Sequence, residues 1–245
     1  MRILITNDDG WGCKGILCLT RLMRRLGEVY VVAPDGPRSA QSSAITIDKP
    51  VIVKQIEENI YTCTGTPADC VKVALNTIFQ DDKPDLIVAG INHGSNASVN
   101  ILYSGTLGAV FVGAENSIPA IGFSIIDHSL DADFSFFEPY ILPLTQLILQ
   151  QKQQYGICYN INAPIGEIKG YKITRQCQGH WHKEFKRHLD DNGNPYYLLT
   201  GDFLNHEPEA QDTDEYALQH GYIAVTPTTI DMTAHNISLP DITIP

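Results

Sequence analysis

Two adjacent acids, Asp8 and Asp9, follow the first short apolar run of the sequence, residues 2–6. Carboxylate oxygens are the ligands that hard divalent ions such as Mg²⁺ and Mn²⁺ prefer, and these ions keep positions open for water and phosphate. The pair therefore predicts a metal site. The alternative is a purely structural role, in which the two side chains cap the turn or helix that follows.

The same segment also matches a dinucleotide-binding pattern. Gly10, Gly12 and Gly15 fit G-x-G-x-x-G, and Asp35 stands twenty residues beyond the last glycine, which is typical of a nicotinamide-dependent oxidoreductase. Charge argues against this interpretation. Two like charges ~4 Å apart repel by roughly 4 kcal/mol at an effective dielectric constant near 20, whereas helix-end amides attract an anion by only about 0.3–2 kcal/mol. A bare pyrophosphate is therefore disfavoured unless a cation intervenes.

Polar loops follow two further apolar runs. One loop carries Ser39, and the other carries Asn92 and Asn96. Because the segments after parallel strands collect at one edge of a sheet, we expect these side chains to lie near the two acids. Either loop taken alone could simply be solvated surface.

Two helix starts differ in how they use polar groups. Ser104, Gly105 and Thr106 begin a helix without an acid in its first turn, so its free N–H groups predict an anion site, and a capping role for Ser104 is compatible with this. Thr66 and Asp69 instead form a capping-box pattern, which uses the acid within the helix itself and predicts a structural role.

The spacing of apolar residues predicts the elements that position these groups. Continuous apolar runs indicate buried parallel strands, and apolar residues at helical spacing indicate helices between them. The expected fold is α/β, a mostly parallel sheet with helices on both faces. Strands are predicted at 2–6, 29–33, 85–90, 119–124 and from 156, and helices at 14–26 with Gly27 as the cap, 66–79, 105–114 and 134–154.

The segment beyond residue 165 has a different character. Residues 171–175 and 196–200 flank a turn at 191–193 and predict an antiparallel hairpin, and residues 221–227 predict one more strand before a tail that reaches Pro245. We expect one domain over 1–245, with a core at 1–165 and a C-terminal extension at 166–245. The extended segments predict a homodimer or homotetramer.

Composition narrows the classes of partner. The 245 residues include 17 Lys plus Arg and 28 Asp plus Glu, a net charge of −11, which disfavours nucleic-acid polymers and anionic membranes as partners. No run of 18 apolar residues occurs, so a soluble cytoplasmic protein is expected, with its six cysteines as buried free thiols.

His180 and His182 are too few ligands for a convincing zinc site. Trp11 and Tyr103 flank the predicted site and could stack on a base.

Six strings occur in an order that makes a resemblance specific. Together they are similar to the motifs of the stationary-phase survival protein SurE family over nearly the whole chain. The strings are ITNDDG (5–10), APDGPRSA (33–40), TGTPADCVK (64–72), GINHGSN (90–96), YSGTLGAV (103–110) and TDEYALQHGYIAVTP (213–227).

The resemblance implies a metal-dependent phosphomonoesterase that acts on nucleoside monophosphates, with a Rossmann-like core and a C-terminal extension exchanged between subunits. It implies one divalent ion, Mg²⁺ or Mn²⁺, per subunit. The implied metal ligands are Asp8, Asp9, Ser39 and Asn92, with Asp8 and Asp9 also catalytic. The residues implied around the phosphate are Asn96, Ser104, Gly105 and Thr106.

The sequence departs from the family at two places. The family usually has glycine after the metal-binding serine, whereas this chain has Ala40, which tolerates a positive φ less well. The segment 176–194 shows no pattern that aligns with the family. A nucleotide-binding oxidoreductase and a non-catalytic metal- or nucleotide-binding protein remain as alternative hypotheses.

Overall fold

The chain folds around one large sheet. The computed structural model describes residues 1–129 and 131–237. Its strands are β1 (Arg2–Thr6), β2 (Glu28–Pro34), β3 (Val53–Glu57), β4 (Ile60–Cys63), β5 (Leu86–His93), β6 (Ala120–Ile125), β7 (Ile157–Ala163), β8 (Tyr171–Ile173), β9 (Gly179–His182), β10 (Phe185–Leu189), β11 (Pro195–Leu199), β12 (Asp202–Asn205) and β13 (Ile223–Thr229). Its helices are α1 (Lys14–Met23), α2 (Pro67–Asn76), α3 (Gly105–Glu115), α4 (Glu138–Leu149) and α5 (Asp214–Gln219), with a 3-10 helix at Ser98–Leu102.

The nine strands of the main sheet are arranged in the order β3-β4-β2-β1-β5-β6-β7-β13-β8. The six central strands, from β4 to β7, are all parallel to their neighbours, whereas β3 and β13 run antiparallel to β4 and β7. The predicted α/β fold with a mostly parallel sheet is thus confirmed. The loops that follow β1, β2, β5 and β6 all emerge at the same edge, as parallel order requires.

Helices cover both faces of the sheet. The apolar residues of α1 and α4 bury one face in a core that includes Ile3, Ile5 and Phe123, and those of α2 and α3 bury the other in a core around Leu4 and Ile87. Successive side chains of a strand point to opposite faces, which explains why continuous apolar runs form the central strands.

Three helices differ in their ends from those that periodicity predicts. The helix expected at 66–79 is α2, which ends at Asn76. The helix expected at 134–154 begins at Glu138 and ends at Leu149, because residues 134–137 form a turn whose phenylalanines Phe134 and Phe137 are buried in the core. The predicted cap at Gly27 is also wrong. Helix α1 ends at Met23, and Gly27 instead lies against the backbone of Met1, where a Cβ atom would be 2.1 Å from the carbonyl oxygen.

The C-terminal segment forms a long bent hairpin, which we call the arm (residues 179–205). Strand β9 pairs with β12, and β10 pairs with β11 around the predicted turn at 191–193. The predicted pairing of 171–175 with 196–200 is wrong, because 171–173 is β8 and joins β13 in the main sheet. The partner of β11 is β10, whose residues are mostly exposed and give no burial pattern in the sequence.

Nothing in the described part of the chain forms a helix long and apolar enough to span a bilayer. The end of the tail, residues 238–245, lies outside the described residues.

Candidate active site at the carboxyl edge of the sheet

The loop after β1 is a tight turn braced by Asn7. The side chain of this fully buried residue donates from Nδ2 to the carbonyl oxygen of Gly10 (2.9 Å) and accepts from the Gly10 N–H (3.2 Å). The loop is also tied to the neighbouring strand, because the Trp11 N–H donates to the carbonyl oxygen of Pro34 (3.1 Å). This turn fixes Asp8 and Asp9 at the carboxyl end of β1.

Asp8 is buried with few hydrogen-bond partners. Its Oδ1 accepts from the hydroxyl of Thr106 (2.8 Å), and the side chain is removed from bulk water. Burial, with the neighbouring charge of Asp9 as the second cause, raises the pKa of Asp8 to about 6, against the lowering effect of Thr106. A carboxylate in this setting gains free energy if a cation binds beside it.

The first turn of α3 packs against Asp8. A Cβ atom on Gly105 would lie 3.0 Å from the Asp8 Cβ atom, so the absence of a side chain allows this approach. Ser104 caps the helix by accepting from the Leu107 N–H (3.1 Å), and no acid lies in the first turn. No described residue accepts from the N–H groups of Gly105 and Thr106. A helix start with two such donors beside the acids has the geometry that can bind an anion.

The end of β5 lies on the other side of the acid pair. Asp9 Oδ2 is 3.0 Å from His93 Nδ1, so His93 orients Asp9. Asn92 is buried, and its Nδ2 donates to the carbonyl oxygen of Gly94 (2.9 Å). No hydrogen bond from the described residues reaches Asn92 Oδ1, which leaves this oxygen available as a ligand.

Asn96 is held by a closed set of buried amides. Its N–H donates to Asn162 Oδ1 (2.8 Å), Asn162 Nδ2 donates to Asn160 Oδ1 (2.9 Å), and Asn160 Nδ2 donates back to the Asn96 carbonyl oxygen (2.8 Å). The Asn96 side chain also donates one hydrogen to Ser124 Oγ (2.8 Å). Its second Nδ2 hydrogen has no acceptor among the described residues and is available to a ligand.

The loop that carries Ser39 touches the site through its backbone. The N–H of Arg38 donates to the Asp8 carbonyl oxygen (2.6 Å), but the Ser39 side chain is exposed and makes no hydrogen bond to a described residue. Ala40 adopts φ 57°, the left-handed conformation that the family's glycine would favour. The structure thus brings the backbone next to Ser39 to the acid pair without bringing its hydroxyl into contact.

The dinucleotide hypothesis gains no support from this geometry. Gly15 is required where α1 approaches β5, since a Cβ atom there would be 2.1 Å from the Ile91 carbonyl oxygen. Asp35, the residue expected to bind a ribose, is ion-paired with Arg38 (2.8 Å). Both residues therefore have structural explanations.

The other residues that the sequence singled out lie at the surface or away from Asp8 and Asp9. Trp11 and Tyr103 are exposed, by 37% and 57%. His180 Nδ1 lies 2.7 Å from His206 Nε2, and no cluster of three or more His, Cys, Asp or Glu side chains within the described residues is arranged to hold a metal. The predicted capping box of Thr66 and Asp69 is confirmed, with both reciprocal hydrogen bonds present.

Sequence reasoning missed the residues that support the site. Asn7, Ser124, Asn160 and Asn162 are buried and contact the loops that carry the candidates. A usable signal for the last two was the occurrence of asparagine in an otherwise apolar strand, because a buried amide must find partners.

Comparison with known proteins gives consistent matches over nearly the whole chain. The family described as "Survival protein SurE" matches residues 3–183. The "5'-nucleotidase SurE" of Phocaeicola vulgatus is 49% identical over 240 residues, covering 96% of this chain and 93% of the relative. That of Flavobacterium psychrophilum is 46% identical over 242 residues, with the same coverage. The crystal structure of the SurE protein from Aquifex aeolicus is 32% identical, with a TM-score of 0.85 over 96% of each chain.

Proposed function

Because this chain belongs to the SurE family, we propose that it is a hydrolase that releases inorganic phosphate from nucleoside monophosphates. The relatives that match over 93% of their own length carry the name 5'-nucleotidase. The observation that carries the proposal is the placement of the Asp8–Asp9 pair directly beside the free N–H groups at the start of α3. A site with paired carboxylates next to an anion-binding helix end suits a phosphate that arrives with a cation.

The donor set fits a divalent metal. Asp8 is a buried acid whose pKa is raised to about 6 by its burial, and Asn92 presents an oxygen that no described donor occupies. We propose that Asp8, Asp9, Ser39 and Asn92 hold one Mg²⁺ or Mn²⁺. When bound, such an ion offsets the charge of the phosphate and polarises its P–O bond. The Ser39 hydroxyl must turn toward the acids to join this set.

The residues around the ion would orient the ester. The Gly105 and Thr106 N–H groups and the free Asn96 Nδ2 hydrogen bind the phosphate oxygens and stabilise the charge that develops on them during transfer. Ser104 contributes its hydroxyl hydrogen, because its oxygen is already used in capping. Thr106 keeps Asp8 oriented through its hydroxyl.

We propose water as the nucleophile, with Asp8 or Asp9 accepting its proton. His93 holds one oxygen of Asp9 and leaves the other available to accept. A direct attack by either carboxylate on phosphorus is the alternative mechanism. Acid quenching of a single turnover with ³²P-labelled substrate distinguishes the two, because only carboxylate attack leaves the label covalently bound to the protein.

The proposal is tested by phosphate release from a panel of nucleoside monophosphates with Mg²⁺ or Mn²⁺. We expect release that stops when a chelator is added and returns when excess metal is restored. Binding of nucleotides without turnover would favour a non-catalytic role. Binding of a nicotinamide dinucleotide with no need for metal would favour the oxidoreductase.

We further propose that the arm joins copies of the chain into a homodimer or homotetramer. Its tip exposes a run of large apolar side chains, of which Phe185 (65% exposed) and Leu199 (69% exposed) pair directly across the hairpin. A two-stranded ribbon with exposed apolar side chains is marginal alone, and a second copy of this chain offers the same surface.

Sedimentation at micromolar concentration tests the assembly. The unchanged chain should sediment as a dimer or tetramer, and the double variant Phe185→Lys, Leu199→Lys as a smaller species. Tyr155→Lys, at an exposed position before β7, is the control and should not change the assembly. A compact monomer for the unchanged chain would contradict the proposal.

We propose the cytoplasm as the compartment, since all six cysteines are free thiols and five of them are buried. Thiol titration after denaturation without reductant should then give six reactive groups per chain. A lower number would indicate disulfides and an oxidising compartment.

A further inference from the structure

A cavity lies beside the segment that follows β5, at the same edge of the sheet. It has a volume of about 250 Å³, and its lining includes Ser95, Asn100, His128, Trp181, Phe203 and Glu215. It is close to the candidate metal ligands. The His128 ring lies over Gly94, where a Cβ atom would be 2.6 Å from it, and the Gly94 carbonyl oxygen accepts from Asn92.

Two aromatic side chains form one wall of this cavity. The rings of Trp181 and Phe203 meet edge to face, with centroids 5.9 Å apart and planes at 64°. Trp181 is fixed in place, because its Nε1 donates to Asn100 Oδ1 (2.7 Å) and Asn100 Nδ2 donates to the Ser95 carbonyl oxygen (3.1 Å). The indole is thereby tied to the loop that also carries Asn96.

The cavity also has a carboxyl group that the described part of the fold does not use, and the hydroxyl of Ser95, whose oxygen accepts from the Ala97 N–H (3.1 Å). No described residue forms a hydrogen bond with the Glu215 carboxyl group. Burial, and then the charge of Asp214, raise the pKa of Glu215 to about 7, so near neutral pH this group can either donate or accept. Aromatic walls with a few convergent polar groups are typical of small-molecule sites.

The size favours one planar ring system. Pockets that enclose drug-sized ligands have volumes of about 300–1,000 Å³, so a cavity of about 250 Å³ is too small to enclose a whole nucleotide. Every nucleobase has a π-face that stacks on aromatic side chains. An aliphatic phosphate ester has no group that uses this wall.

We propose that this cavity binds the nucleobase of a nucleoside monophosphate whose phosphate lies at the Asp8–Asp9 end of the site. The inference rests on the proposed function and adds a base subsite to it. Trp181 provides the stacking surface, and Glu215 and Ser95 face the heteroatoms of the ring.

The first test compares a substrate that has a base with one that lacks it. Trp181→Leu should lower kcat/KM for adenosine 5′-monophosphate by about 10-fold, within the range expected for the loss of one stacked base. It should leave kcat/KM for ribose 5-phosphate within about 2-fold. Trp181→Phe keeps a ring and should restore most of the loss, and Tyr155→Leu is the control for an exposed aromatic. Equal losses on both substrates, or no loss on either, would overturn the proposal.

The second test needs neither metal nor turnover. The chain has two tryptophans, so Trp11→Phe leaves Trp181 as the only indole, and adenosine should then quench its emission in a saturable way. Absence of quenching in that variant would overturn the base subsite even if phosphate is released. Quenching without phosphate release by the unchanged chain would retain the subsite and reject the hydrolase.

Discussion

Two pairs of adjacent acids occupy the same edge of the sheet and have different surroundings. Asp8–Asp9 follows β1, and Asp214–Glu215 begins α5. In each pair the first acid is buried. Asp214 accepts from three backbone N–H groups, those of Ser98 (2.8 Å), Cys177 (2.9 Å) and Glu215 (2.8 Å). The Asp8 carboxylate accepts from the hydroxyl of Thr106 and from no other described neighbour.

The difference shows how the backbone assigns roles to similar sequences. The donors around Asp214 join the 3-10 helix, the segment just before the arm and α5, so its charge is used within the fold. Asp8 has lone pairs that the described residues leave unused, and its charge is available to a cation. A buried acid with few donors is therefore a better indicator of a metal site than two acids in sequence.

One loop connects the two regions. The Asn96 N–H is held by Asn162 on the site side, and two residues later the Ser98 N–H is held by Asp214. Because the two pairs act on the same loop, substitutions at each pair are compared by measuring activity and stability separately.

The largest expected effect is the loss of phosphate release when the Asp8–Asp9 pair is changed. Asp8→Asn keeps the shape of the side chain and removes its charge, and phosphate release should fall by about 10²- to 10⁴-fold. Asp81→Asn, at an exposed position after α2, is the matched control and should retain activity. Near-full activity of Asp8→Asn would show that the charge of Asp8 is not needed for the reaction.

The same substitution should have opposite effects on the stability of the metal-free protein at the two pairs. The pKa of Asp8 is about 6 in the folded chain against 3.8 for the ordinary group, so the folded state holds the proton more tightly. Stability contributed by Asp8 therefore falls as pH rises from about 4 to about 6. At pH 8 Asp8→Asn should be more stable by roughly 2–3 kcal/mol, and below pH 4 this gain should vanish.

Burial raises the pKa of Asp214 as well, but its carboxylate accepts from three backbone N–H groups. Because an amide nitrogen cannot accept from a backbone N–H, Asp214→Asn should instead destabilise the fold by about 1–3 kcal/mol. Denaturant unfolding in the presence of a chelator measures both variants. Stabilisation at both positions would mean that backbone donors do not distinguish the two pairs.

Removing the Thr106 hydroxyl, which donates to Asp8, should have a smaller effect on activity. Thr106→Val removes the donor that lowers the pKa of Asp8, and we expect activity to fall by about 10- to 100-fold, since hydrogen bonds to charged groups contribute about 1.5–3 kcal/mol. Thr106→Ser keeps the hydroxyl and should lose little. Equal loss in both variants would point to packing instead of the hydrogen bond.

The smallest expected effect on activity comes from Asn162, which supports the loop that connects the two regions. Asn162→Ala leaves the Asn96 N–H without its acceptor, and a small displacement of Asn96 should lower kcat/KM by about 10-fold. Asp214→Asn, which affects the loop at Ser98, two residues beyond Asn96, should lower it less. The reverse order would place the phosphate contacts nearer to α5 than we propose.

Much of the core and of the acid-lined edge could be predicted from the sequence. The apolar runs of β1, β2 and β5 encode burial on both faces, and parallel order then places the residues after them together. The capping box at Thr66 is local and needs no tertiary information.

The arm and the buried amides could not be predicted in the same way. Strand β10 exposes most of its side chains, so burial leaves no period in its sequence, and residues 171–173 were assigned to the wrong partner. The contacts of Asn160 and Asn162 join residues more than sixty positions apart. Such contacts depend on the assembled sheet, and no local spacing encodes them.

The central claim is that the Asp8–Asp9 pair holds a divalent ion while the Asp214–Glu215 pair serves the fold. Electron paramagnetic resonance during Mn²⁺ titration tests it directly on the unchanged chain, Asp8→Asn and Asp214→Asn. We predict one Mn²⁺ per chain for the unchanged protein and for Asp214→Asn, and affinity at least about 10-fold weaker for Asp8→Asn. Equal Mn²⁺ affinity in all three, or loss only in Asp214→Asn, would contradict the account.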